Sequence, residues 1–164
     1  MTKRHVKHPF GAVISHEARV LILGSVPSCK SVEKGFYYMH PQNRFWKVMS
    51  ALLDEPLVEA DISARAEILS KRGVALYDSV EECDIEGSSD SQITNVVPAD
   101  LPALIGKAQI RRIFLNGNAS YMYAAKYYPA LVGMMTRLPS TSPANASYSL
   151  ERLIEEWRVI LEYL

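Results

Sequence analysis

Residues 19–25 read RVLILGS, an apolar run that ends at a glycine and a serine. A continuous series of β-branched and leucine side chains is typical of a strand buried on both faces, as the strands of a parallel sheet are. Runs of the same kind recur in GVALYDSV (73–80), in IRRIFLNG (110–117) and at the beginning of MMTRLPSTSPAN (134–145). The sequence therefore predicts four buried strands.

The segments between the predicted strands have the apolar spacing of helices. NRFWKVMSALL (43–53) carries its apolar side chains on one helical face, and DISARAEILSKRG (61–73) begins at an aspartate that suits a helix cap. Helices are also predicted in segments 98–108, 118–129 and 147–164. Because strands alternate with helices, we predict an α/β fold, a three-layer αβα sandwich with a central, mostly parallel four-stranded sheet.

Three segments show no periodicity of this kind. VPSCKSVEKG (26–35) and EECDIEGSSDSQI (81–93) are polar and are predicted to be loops. The start of the chain, MTKRHVKHPF (1–10), is basic and has no apolar run. A flexible basic arm that contacts anions and a frayed terminus are both compatible with this last segment.

The bulk properties predict one ordinary globular domain over residues 1–164. The formal net charge is +0, so an anionic partner must be met by local basic groups or by backbone amides. Cys29 and Cys83 form no CxxC pair, which argues against an iron–sulfur or zinc site and favours a reducing, cytoplasmic location. We expect neither a signal peptide nor a membrane span.

Three loops are expected at the carboxyl ends of the strands, where parallel sheets bind their ligands. These are GSVPSCKS (24–31), LYDSVEECD (76–84) and LPSTSPAN (138–145). The first and the third supply hydroxyls, backbone N–H groups and stiffening prolines, which suit contacts with phosphate groups. Neither contains the GxxxxGK[ST] pattern, so the use of a nucleoside triphosphate is not indicated.

The segment GFYYMHPQNRFW (35–46) places aromatic side chains next to an asparagine. Phe45 and Trp46 lie on the predicted helix and are expected in the core, whereas residues 36–38 precede that helix. An aromatic face for stacking and an amide for edge contacts suit recognition of a nucleobase. Together with the two phosphate-binding loops, this segment indicates a nucleic-acid ligand.

The order GSVPS, FYYMHPQNRFW and LPSTSPAN resembles the uracil-DNA glycosylase superfamily, and within it the hypoxanthine-DNA glycosylase (DNA-deoxyinosine glycosylase) branch. HPQNRFW is similar to a motif of the mismatch-specific uracil glycosylases. LPSTSPAN resembles the second active-site motif of the hypoxanthine branch, and YDSVEECDIEGSSDSQI (77–93) resembles its middle segment. Many superfamily members carry Asp, Asn or Glu where Val26 stands here, and the loss of that group is typical of the hypoxanthine branch.

The resemblance implies roles for individual residues. It assigns catalysis to Asn43, whose amide either orients a water molecule or holds the base edge, and it assigns base stacking to Tyr38. Arg44, Lys30, Lys34 and Arg137 are candidates for positive contacts with DNA, whereas Asp78 and Asn116 are read as loop and turn residues. Further base contacts are expected from Phe36, Val26 and His40, although His40 is equally suited to a structural turn. Asn145 or Tyr148 is expected to act as a wedge in the DNA stack. The residues expected to contact phosphates are Ser25, Pro27, Ser28, Ser140, Thr141 and Ser142.

The resemblance implies a monofunctional DNA glycosylase of base-excision repair, which flips a deaminated base out of double-stranded DNA and hydrolyses its N-glycosidic bond. Hypoxanthine in deoxyinosine is the expected base, no metal or other cofactor is expected, and the enzyme is expected to act as a monomer. One alternative is a mismatch-specific uracil or thymine glycosylase, which HPQNRFW supports equally. The other is a non-catalytic module that binds nucleic acid through the same cleft.

Overall fold

The computed structural model describes residues 3–86 and 93–164 of the chain. Within these ranges it contains seven β-strands, six α-helices and two short 3₁₀ helices. The strands are β1 (Lys3–Lys7), β2 (Val20–Gly24), β3 (Val74–Asp78), β4 (Val80–Glu86), β5 (Ile93–Pro98), β6 (Arg112–Asn116) and β7 (Met135–Leu138). The helices are α1 (Cys29–Lys34), α2 (Phe45–Leu53), α3 (Ile62–Lys71), α4 (Leu101–Ile105), α5 (Asn118–Tyr127) and α6 (Leu150–Trp157), with 3₁₀ helices over Pro129–Met134 and Arg158–Tyr163.

The central sheet is parallel throughout and has the strand order β3-β2-β6-β7. Every residue of β2 and β3 is buried, which explains why these segments are apolar without alternation. Helices flank the sheet: α2 packs against α6, and α5 packs against β6 and β7. The predicted α/β fold with a central parallel sheet of four strands is confirmed.

Some of the helices are shorter than the sequence predicts. The last α-helix ends at Trp157 and continues as a 3₁₀ helix, and the helix predicted in segment 98–108 covers only α4. The Trp157 ring is fully buried, and its indole N–H donates to the carbonyl oxygen of Pro139 at 2.9 Å. This bond attaches α6 to the loop that follows β7.

Within the described ranges, none of the helices combines the length and the apolar character that a membrane span requires.

A second, antiparallel sheet with the order β1-β4-β5 was not predicted. The loop prediction for segment 81–93 is wrong over β4 and at the start of β5, and residues 87–92 lie outside the described ranges. The pairing of β4 with β5 contains two register shifts, between Val80 and Glu82 and between Glu82 and Asp84. Because such bulges break the alternation of inward and outward side chains, the segment did not read as a strand.

The basic start of the chain forms an edge of this second sheet. Lys3–Lys7 pair antiparallel with β4, so both the flexible arm and the frayed terminus are wrong for these residues. His5 bridges two carboxylates of β4: its ring nitrogens lie 2.8 Å from Asp84 Oδ1 and 2.6 Å from Glu82 Oε1. The contact with Asp84, followed by that with Glu82, raises the pKa of His5.

The segment predicted as a loop after β2 contains the helix α1. Ser28 caps it, since its hydroxyl oxygen accepts from the backbone N–H of Ser31 at 3.1 Å. Gly35 ends it in the left-handed region, with a φ of 74°, which suits glycine. The helix has only six residues, which is too short for an apolar periodicity to show in the sequence.

Candidate active site

A cleft of about 1260 Å³ opens at the carboxyl edge of the central sheet. Three of its residues end neighbouring strands: Asp78 on β3, Gly24 on β2 and Asn116 on β6. Gly24 pairs with Asp78 in the sheet register, and a Cβ at Gly24 would meet Asp78 Oδ1 at 2.5 Å. Position 24 must therefore be glycine for the Asp78 carboxylate to take this place.

Nearly all of the predicted site residues line this one cleft. Their roles stay predictions, but the fold brings them together from segments far apart in the chain. The cleft-lining members are Ser25, Val26, Pro27, Ser28, Tyr38, His40, Asn43, Ser140, Thr141, Ser142, Asn145 and Tyr148.

Of the residues predicted to contact the base, Phe36 is the one that does not line this cleft, and its predicted contact is wrong. Its side chain is buried in the core and does not line the cleft. The ring stacks on Trp46 with a centroid distance of 5.6 Å. The neighbouring Tyr37 is also buried in the core, and its hydroxyl donates to Gly11 O at 2.9 Å. Of residues 36–38, Tyr38 alone is partly exposed, and it lines the cleft.

Tyr38 presents a ring that is supported from one side. Its ring stacks on Phe45 with a centroid distance of 4.0 Å and an interplanar angle of 23°. The residue adopts a φ of 56°, a left-handed conformation that is unusual for a bulky side chain. Burial, and after it the charge of Asp78, raises the pKa of Tyr38; Asn116 lies near enough to oppose this shift. The hydroxyl is nevertheless buried without a hydrogen bond of normal geometry in the described part of the chain.

The Asn43 amide has a defined orientation. Its Oδ1 accepts two hydrogen bonds, from the backbone N–H of Phe45 at 2.9 Å and from the Thr141 hydroxyl at 2.8 Å. Because both donors hold the oxygen, the amide nitrogen is the group left to act in the cleft, and it can only donate. His40 serves the turn before Asn43: its Nδ1 accepts from the backbone N–H of Gln42 at 3.1 Å.

Thr141 and Asn116 form the support of Asn43. Thr141 is fully buried, and its hydroxyl accepts from Asn116 Nδ2 at 3.0 Å while it donates to Asn43. The backbone N–H of Thr141 donates to Asn116 Oδ1, also at 3.0 Å. Since these bonds occupy a buried hydroxyl, the predicted phosphate contact of Thr141 is wrong. The interpretation of Asn116 as a turn residue did not include this network. Asn116 ends a central strand, and parallel sheets bind their ligands at that edge.

We expect Thr141→Val to lower the rate of the catalysed step about tenfold, the value of one net hydrogen bond. Valine has the same shape but cannot donate to Asn43, so the amide of that residue can rotate. DNA affinity should change little, because the hydroxyl is buried. Single-turnover rates measure the effect, and Thr141→Ser, which keeps the hydroxyl, is the matched control. Equal rates in the two variants would contradict the role of the network.

Arg44 holds the loop after β7 rather than facing solvent. Its guanidinium donates to the carbonyl oxygens of Ser142 at 3.0 Å, of Asn145 at 2.9 Å and of Tyr148. Its backbone N–H donates to Thr141 O at 3.0 Å. Three of its guanidinium N–H donors are thus used within the protein, and the contact of Arg44 with DNA stays a prediction.

The two wedge candidates are also engaged within this loop. Asn145 Nδ2 donates to Ser140 O at 3.0 Å. The Tyr148 ring packs partly on the core, and the Arg152 guanidinium lies 4.2 Å from its centroid. Both residues still line the cleft, so the wedge role stays a prediction. In the described ranges no three His, Cys, Asp or Glu side chains are grouped to hold a metal ion.

Comparison with known proteins identifies relatives over most of the chain. Residues 11–164 match the family described as the uracil DNA glycosylase superfamily. A protein named hypoxanthine DNA glycosylase from Methanosarcina acetivorans is 32% identical over 162 residues, which are 96% of this chain and 99% of the relative. A protein of the same name from Methanosarcina barkeri is 32% identical over 143 residues, 85% of this chain and 88% of the relative.

A solved structure shares the fold. The solution NMR structure of a candidate uracil DNA glycosylase from Methanosarcina acetivorans superposes with a TM-score of 0.78 at 30% identity. The match covers 94% of this chain and 98% of that one.

Proposed function

The chain belongs to the uracil DNA glycosylase superfamily, and on that premise we propose that it removes hypoxanthine from deoxyinosine in DNA by hydrolysing the N-glycosidic bond. The observation that carries the proposal is the Asn43 amide, whose oxygen is held by two hydrogen bonds and which lines the same cleft as the Tyr38 ring. A base inside a duplex cannot reach such a cleft, so the nucleotide must be flipped out. The name of the matched superfamily and the names of the two relatives support this class of reaction.

The leaving base gains electron density as its bond to the sugar breaks. A donor aimed at that base stabilises the transition state more than the ground state. Asn43 Nδ2 is such a donor, whereas its Oδ1 is occupied and is poorly placed to orient water. Val26 supplies no carboxylate either. We therefore assign Asn43 the stabilisation of the departing base rather than the activation of water.

Asp78, Gly24 and Asn116, which end three neighbouring strands, supply a pattern of donors and acceptors that matches the base edge. Hypoxanthine offers an acceptor at O6 and a donor at N1–H, whereas adenine offers the reverse pair. Asn116 Nδ2 gives one hydrogen to Thr141 and has a second for an acceptor such as O6. The Asp78 carboxylate, on the other side of Gly24, can accept from N1–H. An adenine in the same place would leave buried groups unpaired.

Uracil carries the same neighbouring carbonyl and ring N–H, so it is the second candidate base. The experiment that separates the two uses duplexes with a single deoxyinosine, deoxyuridine or deoxyadenosine, incubated without metal and then treated with alkali. The proposal predicts strand breaks first at deoxyinosine and none at deoxyadenosine. Faster breakage at deoxyuridine would assign the protein to uracil, and no breakage at any base would overturn the proposal of an enzyme for these lesions.

Arg4 is the cation that we expect to contact a DNA phosphate. It lies on β1 and lines the cleft, and it forms no ion pair within the described ranges. The other cleft-lining cations are engaged: Lys30 pairs with Glu33 at 3.3 Å, and the Arg137 guanidinium lies 5.5 Å from the Tyr121 centroid. Arg4→Ala should weaken DNA binding several-fold and lower the slope of log affinity against log salt by about one.

Lys7→Ala is the matched control for Arg4. It removes the same charge from the same strand, but Lys7 is exposed and does not line the cleft. Affinity titrations at several salt concentrations measure both variants. Equal effects of the two substitutions would mean that only the overall charge matters.

A further inference from the structure

A second cavity, of about 980 Å³, lies at the amino edge of the central sheet, on the far side from the cleft. Three of its residues directly precede neighbouring strands: Arg19 comes before β2, Gly73 before β3 and Arg111 before β6. The cleft is bordered by the last residues of the same three strands. Each of these strands has five residues, so roughly 17 Å of sheet separates the two openings. We call this second cavity the amino-edge pocket.

The amino-edge pocket is basic, although the formal net charge of the chain is +0. Among the described residues that line it, Glu17 is the one acidic side chain. Positive charge is therefore in excess at this edge, which favours an anionic ligand. The cationic side chains that line the pocket are Arg19, Lys71, Arg72, Lys107 and Arg111.

Three of these cations are available to a ligand. Arg19, Lys107 and Arg111 are exposed, and none of them forms an ion pair in the part of the chain that the structure describes. The backbone of the two arginines is fixed: the N–H of Arg19 donates to Gly73 O at 2.8 Å, and the N–H of Arg111 donates to Arg19 O at 2.6 Å. The Arg111 guanidinium donates a long hydrogen bond to Tyr163 O, at 3.4 Å. Exposed cations on a fixed rim are suited to an anion.

The other two cations are paired within the protein. Lys71 Nζ lies 3.1 Å from Glu67 Oε1, and both side chains are mostly exposed. Arg72 Nη1 lies 3.3 Å from Glu55 Oε1 and also donates to Leu53 O. Exposed ion pairs contribute little free energy, so Lys71 can turn to a ligand, whereas Arg72 is held more firmly.

The lining residues indicate which anion fits. None of the described residues that line the pocket is Phe, Tyr or Trp, so it lacks the rings on which the bases of a nucleotide or a single strand stack. Arginine and lysine side chains without such rings suit the phosphate backbone of a duplex. An acidic peptide would meet the same charges, but duplex DNA is the polyanion that the proposed function brings to the protein. The pocket therefore fits a segment of duplex DNA best.

This segment is not the one whose base enters the cleft. The two openings lie at opposite edges of the sheet, and one short duplex would have to bend around the protein to fill both. Duplex DNA resists bending on this scale, since its persistence length is about 150 base pairs. A duplex at the amino-edge pocket is thus a separate segment.

We propose that the amino-edge pocket is a second contact for the phosphates of duplex DNA and binds a segment other than the one in the cleft. A protein held by one segment can then be captured by another before it leaves the first. Transfer of this kind speeds the search for a rare damaged base, because it avoids complete release. The inference rests on the proposed function only in taking DNA as the substrate.

The test follows the departure of a fluorescent duplex from the protein by stopped flow, with unlabelled duplex present at increasing concentrations. The fluorescent duplex carries one deoxyinosine on a fluorinated sugar that resists cleavage. With a second contact, the dissociation rate rises several-fold with competitor concentration, because the competitor binds before the first duplex has left. With a single contact, the rate is independent of the competitor.

Arg19→Gln combined with Lys107→Gln removes two of the available cations. This pocket variant should lose most of the rise with competitor. Its affinity for a second duplex should depend less steeply on salt, by about two in the log–log slope, one for each lost phosphate contact. Glu17→Gln removes the opposing charge and should steepen the rise. Lys47→Gln combined with Lys126→Gln is the matched control, since it removes the same charge from exposed positions that line neither cavity, and it should behave as the wild type.

The outcomes separate this inference from the proposed function. If no base were released from any duplex, the proposed function would fall, yet the dissociation rates would still test the pocket. Base release with a dissociation rate that ignores the competitor would overturn the inference alone, and so would an equal loss in the pocket variant and in the control. A pocket that bound a glutamate-rich peptide but no second duplex would belong to an acidic protein partner, which also overturns it.

Thermal melting of each variant identifies a loss of folding. If the pocket variant did not fold, Glu17→Gln would decide. A steeper rise with competitor than in the wild type supports the inference, and an equal rise contradicts it.

Discussion

Asn43→Ala is expected to lower the rate of base release from deoxyinosine by about 10²–10³-fold, the usual cost of removing one preorganised donor at a site of developing charge. The amide nitrogen is lost, and with it the donor that we propose stabilises the departing base. Affinity for the duplex should change less than tenfold, because the substitution leaves the residues of the two loops predicted to contact phosphates unchanged. Single-turnover kinetics with saturating enzyme separate the two quantities.

Asn43→Asp distinguishes donation from acceptance. An aspartate can still accept from the Phe45 N–H and the Thr141 hydroxyl, so the local turn is kept. It cannot donate toward the base, and its charge opposes the negative charge that develops there. We expect this variant to be as slow as Asn43→Ala. A rate near that of the wild type would show that the residue works as an acceptor and orients water instead.

Arg44→Ala is expected to lower the free energy of unfolding by about 3 kcal/mol, because several charge-assisted hydrogen bonds to carbonyl oxygens are lost together. The three carbonyls belong to Ser142, Asn145 and Tyr148, so the loop that borders the cleft should lose its shape. Base release should fall more than tenfold, since Thr141 lies in the same loop. Chemical denaturation and single-turnover rates measure the two effects.

Lys47→Ala is the control for this substitution. It removes one positive charge from the exposed side of α2, three residues beyond Arg44. Stability and rate should stay within error of the wild type. If Arg44→Ala instead kept its stability but lowered the salt dependence of DNA binding, the guanidinium would be a phosphate contact and the account of the loop would be wrong.

The central sheet was predictable because each of its strands can be recognised from its own residues. Val20–Gly24 and Val74–Asp78 are buried on both faces, and such strands read as unbroken apolar runs. The second sheet was not predictable for the opposite reason. Register shifts in β4 interrupt the alternation of inward and outward side chains, and its partner β1 is a basic segment in which, of residues 4–7, only Val6 is buried. Pairing between such segments depends on distant contacts that no window of sequence contains.

The site was predictable in its motifs but not in its hydrogen bonds. Asn43 and Tyr38 followed from a distinctive motif. Thr141 was misread, because a hydroxyl near a loop has the same letter whether it meets a phosphate or its own protein. The sequence also did not show that Arg44 holds the loop after β7. Asp78 and His8 come from segments 70 residues apart, and their contact exists only in the folded chain.

The most direct test of the account is to identify the released molecule. A duplex with one deoxyinosine is incubated with excess protein without metal, and the small-molecule fraction is analysed by mass spectrometry while the strand is kept intact. The account predicts free hypoxanthine in a yield equal to the number of abasic sites, in wild type and not in Asn43→Ala. Released nucleotide, or an unchanged duplex that remains bound, would contradict hydrolysis of the N-glycosidic bond.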